Sequence, residues 1–127
     1  MRLTISNQEN NLMQVTVDGI SYEDIDGSAL ANNIHAVQWY DTHGEIEYKD
    51  PVTGNITRNE EINSITNFQF AIDAWNVIRA EDLAAIALQE AKNSAYQSAY
   101  NEAITNGASE EDAMTAGQAA SDLITSV

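Results

Sequence analysis

The feature that most constrains the fold is a change in sequence character near residue 67. Before it, β-branched and aromatic residues alternate with polar ones, and turn-forming dipeptides recur; after it, the chain is rich in Ala, Glu and Gln and has no Pro and no Gly until Gly107. Alternation is typical of strands with one buried face, and uninterrupted Ala-rich sequence is typical of helix. We therefore predict an α+β protein, with a small antiparallel β-sheet over about residues 1–66 followed by a long helix and a C-terminal Ala-rich helical hairpin.

Turn signals divide the first half into candidate strands. Asp18-Gly19 is a strong signal for a two-residue hairpin, and the four residues 41–44 form a Gly-containing loop that predicts a second hairpin. Residues 24–31 indicate a turn or a single helical turn. In the second hairpin the alternation predicts that one face packs in the core and the other is exposed to solvent. The candidate strands are residues 3–5, 13–17, 20–22, 36–40, 45–48 and 56–65, the last of them an edge strand.

Helix signals organise the second half. Asn67 can cap a helix that runs to about residue 104. The apolar residues three or four apart at its start form a stripe that should pack on the sheet; they are Phe68, Ile72, Trp75 and Ile78. Asn106-Gly107 is a C-terminal stop, and Ser109 can cap a second helix to about residue 125. These signals predict a β-rich core domain, residues 1–78, and an Ala-rich helical hairpin extension, residues 79–127.

An alanine row follows the apolar stripe, and it is our candidate partner-binding surface. Ala recurs every fourth residue, facing the small residues of the second helix, so close helix contacts there bury little area at roughly 25 cal/mol per Å². Two interpretations stay open: the segment packs on another copy or on a partner protein, or it is a self-contained helical hairpin. The four-residue spacing does not predict a long coiled coil. The candidate partner-binding residues are Ala87, Ala91, Ala95, Tyr96, Ala99 and Tyr100.

The charge of the chain restricts its partners. It has 20 acidic and 5 basic residues, a net charge of −15, and no cysteine. Such a surface repels phosphate backbones and anionic lipid headgroups, so we expect neither nucleic acid nor membrane as a partner. The acidity either maintains solubility or forms a face that meets a basic partner. Without an apolar run of ~20 residues or a signal-peptide core, the chain is expected to remain in solution.

Candidate chemical groups are few and scattered. His35 and His43 are expected to make local hydrogen bonds, one before a strand and the other in a turn. Glu45 and Glu47 should share the polar face of one strand, where a solvated role is more common than a paired-carboxylate site. Residues 24–27 contain two Asp and a Gly but lack the remaining ligands of a calcium loop. We therefore predict a non-enzymatic protein with no catalytic, cofactor-binding or metal-binding residues.

Residues 34–40 and 44–48, which read IHAVQWY and GEIEY, carry a resemblance to a known family. The chain resembles small proteins encoded beside the tail-fibre genes of tailed bacteriophages and prophages. The shared features also include the V-D-G hairpin at residues 17–19, and the match covers about residues 1–76. A third shared segment is formed by Ile62, Ile65, Phe68, Ile72, Asp73 and Trp75.

The resemblance implies a protein of the tail fibre or tail tip that contacts other phage tail or fibre proteins, or further copies of itself. It would act as an assembly chaperone in the host cytoplasm or as an adaptor that stays in the virion tail. Two other classes stay open: a structural virion protein elsewhere, such as a head decoration or head fibre, and a small carbohydrate- or metal-binding module. The last would use an exposed Trp39 or Tyr40, or the acidic loops.

Overall fold

The structure is a computed structural model that describes all residues 1–127. It confirms the α+β class, with a six-stranded antiparallel sheet followed by a long helix and a shorter one. The elements are β1 (Arg2–Asn7), β2 (Leu12–Val17), β3 (Ile20–Asp26), β4 (Ile34–Tyr40), β5 (His43–Lys49), β6 (Ile56–Ile62), a 3-10 turn (Thr66–Phe68), α1 (Gln69–Thr105) and α2 (Glu110–Asp122).

The strand order is β3-β2-β1-β4-β5-β6, and every neighbouring pair is antiparallel. The predicted hairpin turn at Asp18-Gly19 is present between β2 and β3. Both residues have positive φ, 48° and 86°, which is the conformation that a two-residue turn with the twist of a hairpin requires. β3 and β6 are the two edges of the sheet, so the prediction of a C-terminal edge strand is also confirmed.

One face of the sheet and the start of α1 form a single hydrophobic core. Alternate residues of β1, β2 and β4 are fully or almost fully buried, as the sequence alternation predicts. The predicted stripe of α1 covers them, with Phe68, Ile72 and Trp75 buried and Ile78 packed against the cluster. The sheet residues of this core are Leu3, Ile5, Met13, Val15, Val17, Ile25, Ile34, Val37, Trp39 and Ile46.

Two turn predictions were wrong at their boundaries. β3 continues to Asp26 because the turn-forming residues lie in an irregular part of the strand. Asp24 adopts φ 57° there, and its N–H donates to Oε1 of Gln8 at 3.0 Å. The second hairpin has a two-residue turn instead of a four-residue loop. Asp41 supplies the positive φ of 56°, while His43 and Gly44 pair with β4 as the first residues of β5.

The predicted cap of the first helix was also wrong. A 3-10 turn precedes α1, and Asn67 lies exposed inside it. The side-chain bond at this end comes from Ser64, whose Oγ accepts from the N–H of Thr66 at 3.3 Å. The signals at the other end were right. Gly107 has φ 89° after α1, and Ser109 caps α2 by accepting from the N–H of Asp112.

The chain divides into two compact units, Met1–Ile78 and Arg79–Val127. The first contains the sheet, the 3-10 turn and the first turns of α1. The second contains the rest of α1 and α2, which ends at Asp122 and not at residue 125. Neither helix is long and apolar enough to cross a membrane.

Candidate functional site

A shallow cleft of about 550 Å³ lies at the ends of β4, β5 and β6. The rings of Tyr40 and His43 stand 5.8 Å apart at one side, and the guanidinium of Arg2 lies 5.0 Å from the Tyr40 ring centroid. Glu45 and Glu61, directly opposite each other on neighbouring strands, line the other side. The cleft therefore combines an exposed aromatic platform with two carboxylates.

Of the polar residues singled out from the sequence, His43 and Glu45 line this cleft, whereas His35 and Glu47 lie toward the other ends of β4 and β5. Glu45 accepts a hydrogen bond from Nδ2 of Asn59 at 2.9 Å, and Glu47 lies 3.6 Å from Nε2 of His35. His35 is an exposed residue within β4 and does not precede it. No group of three carboxylate, imidazole or thiol side chains is placed to hold a metal ion.

Of the two aromatic residues named for the binding-module alternative, one is buried and the other is exposed. Trp39 is buried in the core, because the register of β4 directs it to the same face as Val37, whereas Tyr40 is exposed. The carboxylate of Asp26 already has a local hydrogen-bond partner. It accepts a hydrogen bond from the N–H of Ser28, and this bond lowers the pKa of Asp26. An exposed Trp39 was therefore a wrong expectation.

A second polar cluster lies where β5 meets the edge strand β6. The hydroxyl of Tyr48 donates to the carboxylate of Glu60 at 2.8 Å, and the guanidinium of Arg58 stands 4.1 Å above the Tyr48 ring. Arg58 also lies 3.8 Å from Glu60. The bond to the charged carboxylate stabilises the protonated phenol, which raises the pKa of Tyr48.

In the second unit, Tyr96 of the candidate partner surface lies against α2. An added Cβ at Gly117 would lie 2.8 Å from ring carbons of Tyr96, so the bare backbone of α2 approaches that ring closely. Tyr96 and Tyr100 stack with centroids 6.2 Å apart and a 15° angle between their planes. Ala91, Ala95, Tyr96, Ala99 and Tyr100 are all half-buried, and Ala87 is exposed.

The same unit also exposes larger apolar side chains. The sequence had placed them at the end of the core stripe and had not marked them as a contact surface. Leu83 and Ile86 are one turn apart on α1 and are 48% and 45% exposed, with Ala87 beside them. We call these three residues the α1 apolar patch. The sequence signal for the patch was partial: Leu83 and Ile86 are three residues apart, as in the stripe, but Leu83 lies five residues after Ile78. What the sequence could not show was that about half of each of these two side chains is exposed.

No protein-family model, curated protein or solved structure matches this chain.

Proposed function

We propose that this chain is a non-enzymatic protein of tailed bacteriophages, associated with the tail fibre, which acts through contacts with other phage tail or fibre proteins. It works as an assembly chaperone or as an adaptor, in the host cytoplasm during assembly and, for an adaptor, in the virion tail. The family part of the proposal depends on the resemblance of residues 1–76. The contact part depends on the exposed surfaces of the chain.

The residues that carry the resemblance are mostly core residues, which indicates where the working surface should be sought. Val37, Trp39 and Ile46 are buried in the sheet, and Phe68, Ile72 and Trp75 are the helix residues packed against them. Such residues determine a fold and touch no partner. The contact surface of this proposal therefore consists of exposed residues.

The single observation that carries the contact function is the α1 apolar patch. Exposed apolar groups that adjoin one another on a surface are typical of protein-interaction sites. Because Leu83 and Ile86 are about half exposed, covering the rest of each side chain against a partner would contribute about half of the 1.5–3 kcal/mol typical of complete burial. Glu81 and Glu90, which are exposed on the same segment of α1, add negative charge near the patch. The chemistry of the patch therefore fits a partner surface with apolar pockets and a basic rim.

Co-expression with the fibre protein encoded beside it tests this proposal. The wild-type chain is expected to copurify with the fibre protein. The double substitution Leu83→Glu and Ile86→Glu should lower the affinity on the order of a hundredfold, because two buried apolar contacts are lost. The matched control is Val52→Glu with Thr53→Glu, which adds the same two charges to an exposed turn of the sheet domain and should leave copurification unchanged.

Two results would contradict the proposal. One is a wild-type chain that never copurifies with the fibre protein, and the other is a complex that survives the α1 double substitution. The second candidate function, a small carbohydrate-binding module, is favoured by the exposed ring of Tyr40 in its cleft. In that case Tyr40→Ala would remove binding to glycans, while the α1 substitutions would not.

A further inference from the structure

The sheet has two free edges, and they differ in how they are protected against pairing. β3 is interrupted by a register shift opposite Met13 and Val15, includes Asp24 in a left-handed conformation, and carries three acidic residues. Bulges and charges of one sign are the usual features that keep an edge unpaired. β6 has a register shift only at its start, between Ile56 and Arg58, and it pairs regularly with β5 over residues 58–62. It contains no Pro and no positive φ, carries charges of both signs, and has six of its seven residues exposed. At about 3.3 Å per residue, residues 58–62 offer a regular edge roughly 17 Å long.

We propose that β6 pairs in antiparallel orientation with β6 of a second copy of this chain, around a two-fold axis at Asn59. The resulting homodimer has one continuous twelve-stranded sheet. In this arrangement Arg58 lies opposite Glu60 of the second copy. Each contact occurs twice, because an interface on a two-fold axis uses the same surface of both copies. Asn59 faces Asn59, so two side-chain amides meet at the axis.

The charges on β6 select this register over its neighbours. A two-fold axis perpendicular to the sheet keeps each face on its own side, so the register can shift only in steps that preserve the face of every residue. A shift one way sets Arg58 against Arg58, and a shift the other way sets Glu60 against Glu60. Like charges directly opposite each other destabilise a strand pair, whereas opposite charges stabilise it. In the register centred on Asn59, Arg58 lies opposite Glu60 on each side of the two-fold axis.

Contacts within one copy already position the side chains of Arg58 and Glu60. Arg58 and Glu60 are paired with Tyr48 and Ile46 in the β5–β6 register, so both lie on the helix-covered face of the sheet. The hydroxyl of Tyr48 fixes Glu60 at 2.8 Å, and its ring supports Arg58 at 4.1 Å. Both charged side chains remain largely exposed. Side chains that are already positioned lose less conformational entropy on binding.

The oligomeric state of the full chain, measured by sedimentation at rising protein concentration, tests the proposal. The wild type is expected to approach twice its monomer mass of 13.9 kDa. Arg58→Glu alone, or Glu60→Arg alone, places like charges opposite each other twice and should raise the dimer dissociation constant at least about tenfold. Lys92→Glu and Glu102→Arg make the same charge changes on α1 and serve as controls that should dimerise like the wild type.

Mixing the two weakened variants gives the most specific result. In a heterodimer of Arg58→Glu with Glu60→Arg, both cross-strand pairs again join opposite charges, so dimerisation should return toward the wild-type constant. A variant that failed to fold, or that lost only its internal bond to Tyr48, could not be rescued in this way. A wild-type chain that stays monomeric at millimolar concentration would overturn the proposal. So would dimers that neither substitution weakens, or weakened variants that mixing does not restore.

Discussion

Replacing Trp75 by Ala is expected to lower the free energy of unfolding by about 3–5 kcal/mol, as for other large deletions in a core. Trp75 is 9% exposed, its ring centroid lies 5.9 Å from that of Tyr22, and its Nε1 donates to the carbonyl oxygen of Ile20 at 2.9 Å. The substitution therefore leaves both a cavity and an unpaired carbonyl. In a domain whose total stability is about 5–15 kcal/mol, a loss of this size is severe.

Denaturant unfolding followed by circular dichroism measures this loss. Val77→Ala is the matched control, because Val77 lies two residues further along α1 and is 62% exposed. Its effect should stay within about 0.5 kcal/mol, the usual range for surface substitutions. Equal stability of Trp75→Ala and the wild type would show that this face of α1 does not pack on the sheet.

The second large effect is expected at Gly44, where β4 and β5 approach too closely for any side chain. A Cβ at this position would lie 2.3 Å from the carbonyl oxygen of Gln38 and 2.9 Å from Cε3 of Trp39. Because the nearest atom belongs to the backbone, rotation of a side chain cannot relieve the contact. Gly44→Ala should therefore lower the free energy of unfolding by about 1–3 kcal/mol, the usual cost of overpacking.

The neighbouring substitution His43→Ala is the control for Gly44. His43 belongs to the same strand but is exposed, so its removal should change stability by no more than about 0.5 kcal/mol. Thermal unfolding of both variants, compared with the wild type, measures the difference. If Gly44→Ala melts like the wild type, Gly44 does not face Trp39 and the register of the hairpin is incorrect.

The strands and helices were largely predictable, because alternation and spacing act locally. The boundaries that failed were decided by contacts distant in the sequence. Asp24 is a turn-forming residue, yet the side chain of Gln8 and the pairing of Ile25 with β2 keep it inside a strand. Gly44 suggested a loop, but its lack of a side chain is what allows it to pair opposite Trp39.

The candidate site was less predictable than the fold. Trp39 and Tyr40 are adjacent aromatic residues, and only the register of β4 decides which of them is buried. The alanine row and the small residues of α2 were visible in the sequence, but the close approach of Gly117 to Tyr96 depends on how the hairpin packs. The exposure of Leu83 and Ile86 depends on which other residues pack over them. A local sequence pattern does not determine that packing.

The claim that this chain acts on the tail fibre is tested most directly with a phage that lacks the chain. The measurement is the amount of tail-fibre protein on its particles, because the same loss is expected whether the chain is a chaperone or an adaptor. Quantitative mass spectrometry of purified particles should show normal capsid and tail-tube proteins with fibre protein strongly depleted. Supplying the wild-type chain should restore the fibre protein, and supplying the variant with Leu83→Glu and Ile86→Glu should not. Particles with unchanged fibre protein, or with a loss confined to head proteins, would contradict the account.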